Sequence, residues 1–272
     1  MNHSFETRSP NNEIQEFTSK FYGFQLEAYH SLYFERRLDR FKARNGITKT
    51  QELIDLILNN PSIASIFKNE FHISYTKLFR EPTFFIPLLQ FIKQKIETEG
   101  TIRIWHAGCA QGHEAYSLAI LLEEHNLLEK CKIYATDVNT SALRSAAKGI
   151  IDIGEVKCGV KDYMLAGGQV HIIHHFHLND NNAILKERIL SKIKFAQHEL
   201  GRNPPFQKFD LIICRNVLIY YKQSYQIFLL KTLLDSLHPT GYLGLSNCES
   251  PGQFEQDYGL KKADISHHIY QI

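Results

Sequence analysis

Apolar positions along this chain recur with two spacings, and the spacing changes near residue 100. In LEAYHSLYFERRLDRFKARNG, Leu26, Tyr29, Tyr33, Leu38 and Phe41 return every three to five residues on roughly one face. That is the period of an amphipathic helix, and Asn45-Gly46 supplies its stop. TQELIDLILNN carries a second stripe in Leu53, Ile54, Ile57 and Leu58, with a helix start between Thr48 and Glu52. Residues 20 to 70 therefore read as all-α. Beyond residue 100, TIRIWHA (101–107), CKIYATD (131–137), KIKFAQ (192–197), FDLIICR (209–215) and GYLGLS (241–246) are predicted strands. The stretches SLAILLEEH, SALRSAAKG and SYQIFLLKTLLDSL are helices between them. Buried strands alternating with helices predict a doubly wound, mostly parallel sheet, with HHIYQI as an added edge strand. Residues 150–191 break the alternation and read as an irregular insertion. The predicted organisation is a polar tail at 1–18, a helical domain with its linker at 19–85, and an α/β domain at 86–272.

Composition narrows the class. A chain of 272 residues with 43% hydrophobic and 22% charged residues can bury a sizeable core. Its most apolar stretch, FDLIICRNVLIYY, is interrupted by Arg215 and Asn216 well short of the ~20 residues that span a bilayer. The N-terminus lacks the apolar centre of a secretory signal, so the expected location is cytoplasmic, with no membrane insertion. A net charge of +2 creates no general field for nucleic acid. Five scattered cysteines without a CxxC pair form neither a disulfide framework nor a zinc knuckle and read as small buried hydrophobes. HIIHHFHLND gathers His171, His174, His175, His177 and Asp180, but no ligand partner is evident elsewhere, and no metal is expected.

The chemistry concentrates where the first strand turns into its helix, at GCAQGHEAYS, residues 108 to 117. In a doubly wound sheet, ligands sit at such carboxyl ends. Gly108 and Gly112 permit positive φ and close approach of a ligand to backbone. Asp137 ends the next strand, at about the offset from which an acid meets ribose hydroxyls. The stretch lacks the GxGxxG pattern that cradles pyrophosphate and puts Glu114 in the helix's first turn. A carboxylate there repels phosphate and suits a cationic nucleoside such as S-adenosylmethionine. A turn that merely packs two elements is the competing reading.

Four stretches in order, SYTKLFREPTFF (74–85), RIWHAGCAQGHEAYSLAI (103–120), ATDVNTSALRSAAKGI (135–150) and FDLIICRNVLIYY (209–221), resemble the CheR-type chemotaxis-receptor (protein-glutamate) O-methyltransferases. The likeness covers about residues 20 to 250. It implies a Rossmann-like S-adenosylmethionine-dependent methyltransferase sheet, an α/β fold, behind an N-terminal all-α domain. It further implies that Ser74, Thr76 and Arg80 line the methionine end of the cofactor, that Glu114 receives its amino group and that Asp137 receives its ribose. Leu200, Asn216 and Val217 would frame the adenine and methionine sides, with Glu199 at the adenine edge. Arg80 and Tyr220 would act on methyl transfer, which leaves S-adenosylhomocysteine. Departures from the family pattern stand at Ser74, Leu78, His113, Ala115 and Glu199.

The implied acceptor is a glutamate side chain on a cytoplasmic receptor helix. Arg36, Arg37, Arg40 and Lys42, with Arg44, form a basic stretch that would dock acidic receptor helices. The expected state is a monomer. Two other functions stay open: a cofactor-binding signalling adaptor without turnover, and a carboxyl methyltransferase acting on another protein or a small acid. In the insertion Gly167-Gly168 reads as a turn and VHIIHHFHL as a strand, but the usual hairpin with which many family members grip a receptor tail is not clear, so tail binding is not carried over.

Overall fold

The computed structural model describes residues 10–72, 75–264 and 266–272. The chain divides into two compact units, one of residues 1–73 with 220–226 and the other of residues 74–219 with 227–272. This division falls at 73/74 rather than 85/86, because Leu78, Phe79, Phe84 and Phe85 are buried in the core of the second unit.

In the first unit, helices α1 (Pro10–Tyr22), α2 (Ser31–Arg44), α3 (Thr50–Asn59) and α4 (Pro61–Glu70) pack around Phe34, Leu38, Phe41, Leu53, Ile57, Phe67 and Phe71. The stretch read as a polar tail is helical from Pro10, and Ile14 and Thr18 are fully buried. Ile14 anchors a short helical stripe that the surrounding polar residues mask. Residues 1–9 lie outside the described residues. Helix ends follow local chemistry. The Asn60 side chain accepts from the N–H groups of Ser62 and Ile63, with Pro61 at the first helical position of α4. Glu52 accepts from the N–H of Lys49 at 3.2 Å and of Thr48 at 3.1 Å ahead of α3. Residues 220–226 return to this unit, where Tyr221 stacks on Tyr29 with ring centroids 4.7 Å apart.

The second unit opens with α5 (Phe85–Glu99) and β1 (Ile102–Ala107). There follow α6 (His113–Glu124), β2 (Cys131–Asp137), α7 (Thr140–Ala146), β3 (Ile150–Asp152), α8 (Ile153–Leu165), β4 (Phe176–Asn179) and β5 (Asn182–Leu185). The chain continues through α9 (Glu187–Leu190), β6 (Ile193–Gln197), β7 (Phe209–Ile213), α10 (Gln223–Leu234) and β8 (Leu237–Gly244). It closes with α11 (Phe254–Asp257), β9 (Lys261–Asp264) and β10 (Ile269–Gln271).

Seven strands form one sheet in the order β6-β2-β1-β7-β8-β10-β9, parallel from β6 to β8 and antiparallel at β10 and β9. Each of the five predicted strands is present. The final apolar stretch is not an edge strand: β10 lies between β8 and β9, and charged, exposed β9 takes the edge, as an unpaired edge favours. Along the sheet, β2 follows β1 on one side and β7 lies on its other side. The loops leaving β1 and β7 therefore start side by side at the topological switch point and run to opposite sides.

The segment at 150–191 is not irregular. It contains α8 and a three-stranded antiparallel sheet of order β3-β5-β4. Its hairpin turns at Asp180 and Asn181, between Asn179 and its register partner Asn182, and not at Gly167-Gly168. Residues Ile172–His175, expected as strand, form a 3-10 turn whose start is capped by the His171 ring. His175 is buried, with Nδ1 at 3.0 Å from Glu123 and Nε2 at 2.8 Å from Glu124 on α6. Glu124 also accepts from the Tyr163 hydroxyl and, at 3.0 Å, from the Gln169 N–H. Among the described residues no group of three or more His, Cys, Asp or Glu is placed to hold a metal ion. Among them also, no helix is long and apolar enough to cross a membrane. Cys158 and Cys248 are exposed, contrary to the reading of all five cysteines as buried.

Replacing His175 with alanine strips the Glu124 carboxylate of a buried partner, which costs about 3 kcal/mol. Hydrogen exchange should quicken across 150–191 while β1 and β7 stay protected; exchange that quickens equally everywhere would contradict this anchoring role.

Candidate active site

The corner after β1 is bent by backbone conformations that side chains resist. Gly108 has φ +80° and Gly112 φ +84°. A Cβ on Gly108 would lie 2.5 Å from Val217 Cγ2, so the bare backbone of one loop meets the side chain of the other. Four non-glycine residues around this corner are also left-handed: Phe79 (φ 52°), Glu81 (φ 53°), Ala110 (φ 50°) and Asn216 (φ 58°). Each such residue costs of order 1 kcal/mol and persists only where its surroundings hold it.

Each has a holder. The Phe79 N–H donates to Ser117 Oγ on α6 at 2.9 Å, and its ring is fully buried. The Ala110 N–H donates to Asp137 Oδ2 at 2.8 Å. The Asn216 N–H donates to Glu249 Oε2 at 2.8 Å. Glu81 is fixed by Arg215, whose side chain is wholly buried.

Arg215 is the centre of the cluster. Its guanidinium lies 2.7 Å from Glu114 Oε2 and 2.9 Å from Glu81 Oε2, donates to the Arg80 carbonyl at 3.1 Å and stands 4.2 Å from the Phe84 ring centroid. The second Glu114 oxygen accepts from His106 Nδ1 at 3.2 Å. Burial by itself raises the Glu114 pKa, but the charge of Arg215 and the hydrogen bonds from His106 and Arg215 outweigh it, so the carboxyl is held below its ordinary value. Glu114 is therefore not the lone carboxylate the sequence suggests. Two carboxylates against one guanidinium still leave this cluster negative, which favours a cationic ligand over phosphate.

At the end of β2, Asp137 accepts from Ala110 and, at 2.8 Å, from the Asn139 N–H, leaving lone pairs on both oxygens. Burial raises its pKa, against the pull of those N–H groups. The Asp137 carbonyl accepts from the His198 N–H at 3.1 Å, which brings the turn with Glu199 and Leu200 beside it. Glu199 starts that turn and accepts, through its carbonyl, from Asn203 at 2.8 Å. His113 is buried with Nε2 at 3.1 Å from Glu155; burial lowers its pKa.

The structure thus gathers Gly108, Gly112, Glu114, Asp137, Glu199, Leu200, Asn216, Val217 and the Arg80 backbone at one end of the sheet. Thr76 lies just before the Arg80 turn, in a stretch held by Lys77 to Asp162 at 2.7 Å and by Leu78 against Gly159 on α8. Ser74 lies outside the described residues. Tyr220 belongs to the helical unit, its ring 5.2 Å from that of Tyr33. The hydroxyl of Tyr33 donates to the Phe71 carbonyl at 2.6 Å, and burial pushes its pKa up to about 12. Of the basic residues on α2, Arg36 and Arg40 are exposed, whereas Arg37 is 3.5 Å from Glu70 and lies over the Tyr33 ring, and Lys42 is half-buried.

Sequence reasoning missed Arg215, Glu81, His106 and Glu249. Arg215 was visible only as an interruption of an apolar run. A charged residue two positions beyond five buried strand residues needs a buried partner, and that signal pointed to the carboxylates.

Residues 74–266 match the family described as CheR methyltransferase, SAM binding domain. The chain is 31% identical to Cher3 of Pseudomonas putida over 229 residues, 84% of each chain. It is 28% identical to a chemotaxis protein methyltransferase of Borreliella burgdorferi, covering 84% of this chain and 83% of that one. It is 27% identical to chemotaxis protein methyltransferase 1 of Pseudomonas aeruginosa, covering 90% and 91%.

Replacing Arg215 with methionine leaves Glu114 and Glu81 facing each other without a cation and should cost about 3–5 kcal/mol near neutral pH. Because the folded Glu114 pKa is depressed, its stabilisation is present above its ordinary value of 4.5 and is lost as pH falls through the lowered value. Denaturant unfolding at several pH values should show the gap to wild type narrowing below pH 4.5; a gap independent of pH would contradict the pairing.

Proposed function

The chain belongs to the CheR methyltransferase family, and from that premise we propose that it methylates glutamate side-chain carboxylates of chemotaxis-type receptors, giving glutamyl methyl esters. S-adenosylmethionine is the cofactor, and the corner fits it: bare glycine backbone at Gly108 for close approach, a negative cluster for its cation and an Asp137 carboxylate with free lone pairs for its hydroxyls. Glu114 would hold the amino group and Asp137 the ribose. Leu200, Asn216 and Val217 would frame the adenine and methionine sides, with Glu199 at the adenine edge, and Ser74 and Thr76 would line the methionine end. When bound, S-adenosylmethionine supplies an electrophilic methyl group on a positively charged sulfur.

The observation that carries the reading is Arg80. Its backbone is clamped between two left-handed residues by Arg215, and among the described residues no carboxylate pairs with its guanidinium. An acceptor glutamate, with a pKa of ~4.3, is already ionised at neutral pH and needs no general base. What it needs is orientation and loss of water. The Arg80 guanidinium provides a charge-assisted fork for one carboxylate oxygen, leaving the other to attack. Tyr220 is assigned to the acceptor as well, on the family resemblance alone. Arg36 and Arg40, one turn apart on α2 with exposed Leu32 a further turn back, form the receptor-facing stripe. The protein acts in this reading as a cytoplasmic monomer.

Tritium from methyl-labelled cofactor should pass to a receptor cytoplasmic fragment and leave as methanol in base. Label that resists base, or no transfer, would overturn the reading. Arg80→Ala should lower turnover at saturating S-adenosylmethionine about 100-fold, whatever it also costs in cofactor affinity; saturated turnover within a few-fold of wild type would remove Arg80 from the reaction. Reversing charge at Arg36 and Arg40 should slow receptor methylation and flatten its salt dependence, measured as kcat/KM against ionic strength. Unchanged rates and salt dependence would discard the docking stripe.

A further inference from the structure

Glu249 is 5% exposed and receives hydrogen bonds from four backbone N–H groups and one hydroxyl. Oε1 accepts from the Val217 N–H at 2.9 Å and the Leu218 N–H at 2.8 Å. Oε2 accepts from the Asn216 N–H at 2.8 Å, the Ser246 N–H at 3.0 Å and Ser246 Oγ at 2.7 Å. The residue itself is held from behind. Its N–H donates to the Ser246 carbonyl at 3.0 Å, and His268 Nδ1 lies 2.8 Å from its carbonyl.

We propose that Glu249 is a positioning residue for methyl-donor binding, acting through the 216–218 turn. Three successive N–H groups aimed at one carboxylate define the turn's path after β7 and offset the cost of left-handed Asn216. That path sets Val217 against the bare Cα of Gly108, so the turn forms one wall of the corner. Glu249 lies thirty-two residues beyond Val217 and reaches the corner through these N–H groups. The inference rests on the reading that Asn216 and Val217 frame the donor.

Calorimetric titration with S-adenosylhomocysteine on the full chain tests it, across wild type and the variants Glu249→Gln, Glu249→Asp, Asp210→Asn and Asn216→Ala. Glutamine keeps the shape of Glu249 but turns an amide NH₂ toward N–H donors, so affinity should fall about tenfold or more. Aspartate keeps both anionic oxygens on a shorter stem and should recover part of the loss. Asp210 is the control for a merely structural carboxylate: it is equally buried and accepts the Arg103 N–H at 2.7 Å, but at the opposite end of the sheet. Asp210→Asn should lower the melting temperature and leave affinity within about twofold. Wild-type affinity in Glu249→Gln, with Asn216→Ala weakened, overturns the role of Glu249 and spares the site. Unchanged affinity in Asn216→Ala refutes the donor-framing reading itself. Should Glu249→Gln not fold, Glu249→Asp decides: affinity weakened about threefold or more supports the role, and wild-type affinity overturns it.

Discussion

The buried guanidinium of Arg215 holds this site in shape. It leaves water completely, and desolvation on that scale is tolerated only because Glu114, Glu81, the Arg80 carbonyl and the face of Phe84 surround it. The partners come from two separate stretches of chain, Glu114 from the start of α6 and Arg80, Glu81 and Phe84 from the turn before α5, and Arg215 itself follows β7. One cation therefore ties the loops that meet at the switch point of the sheet. The arrangement follows from strand order: because β2 and β7 flank β1, the chain leaving β1 and the chain leaving β7 diverge and leave a crevice that polar groups must close.

Four residues around the crevice share a further property. Phe79, Glu81, Ala110 and Asn216 all adopt conformations that their side chains disfavour, and each is held by a different group: Ser117, Arg215, Asp137 and Glu249. Strain of this kind concentrates where backbone must be aimed at a ligand. The carboxylates at the corner consequently do two jobs. Asp137 pins the glycine loop and Glu114 pairs with Arg215, and both carboxylates keep free lone pairs. A preorganised site of this type spends little on rearrangement when a ligand arrives.

Much of this was legible in the sequence for identifiable reasons. Strands β1, β2, β7 and β8 read clearly because most of their positions are buried, which makes each a largely apolar run between glycine and polar stops, whereas the edge strand β6 is mostly exposed. Gly108, Glu114 and Asp137 were legible because backbone freedom and charge at strand ends have few other uses. The segment at 150–191 was opaque: its strands have three or four residues, too few for alternation to register, and its turn is the unremarkable Asp180-Asn181. The start of α1 was hidden because, among the described residues, Ile14 is its one fully buried apolar residue, set among polar neighbours. Arg215 and Glu249 were opaque for a different reason. A buried charge is defined by partners far along the chain, thirty-two residues apart for Glu249 and Val217 and 101 for Arg215 and Glu114, and no local pattern encodes them.

The central claim is that a corner only partly neutralised by Arg215 retains room on Glu114 for the cation of the methyl donor. A crystal structure of the protein with S-adenosylhomocysteine tests this directly. The account predicts the ligand's ammonium within hydrogen-bond distance of Glu114 while Arg215 still bridges Glu114, Glu81 and the Arg80 carbonyl. An ammonium bound elsewhere, with both Glu114 oxygens still taken by His106 and Arg215, would contradict it.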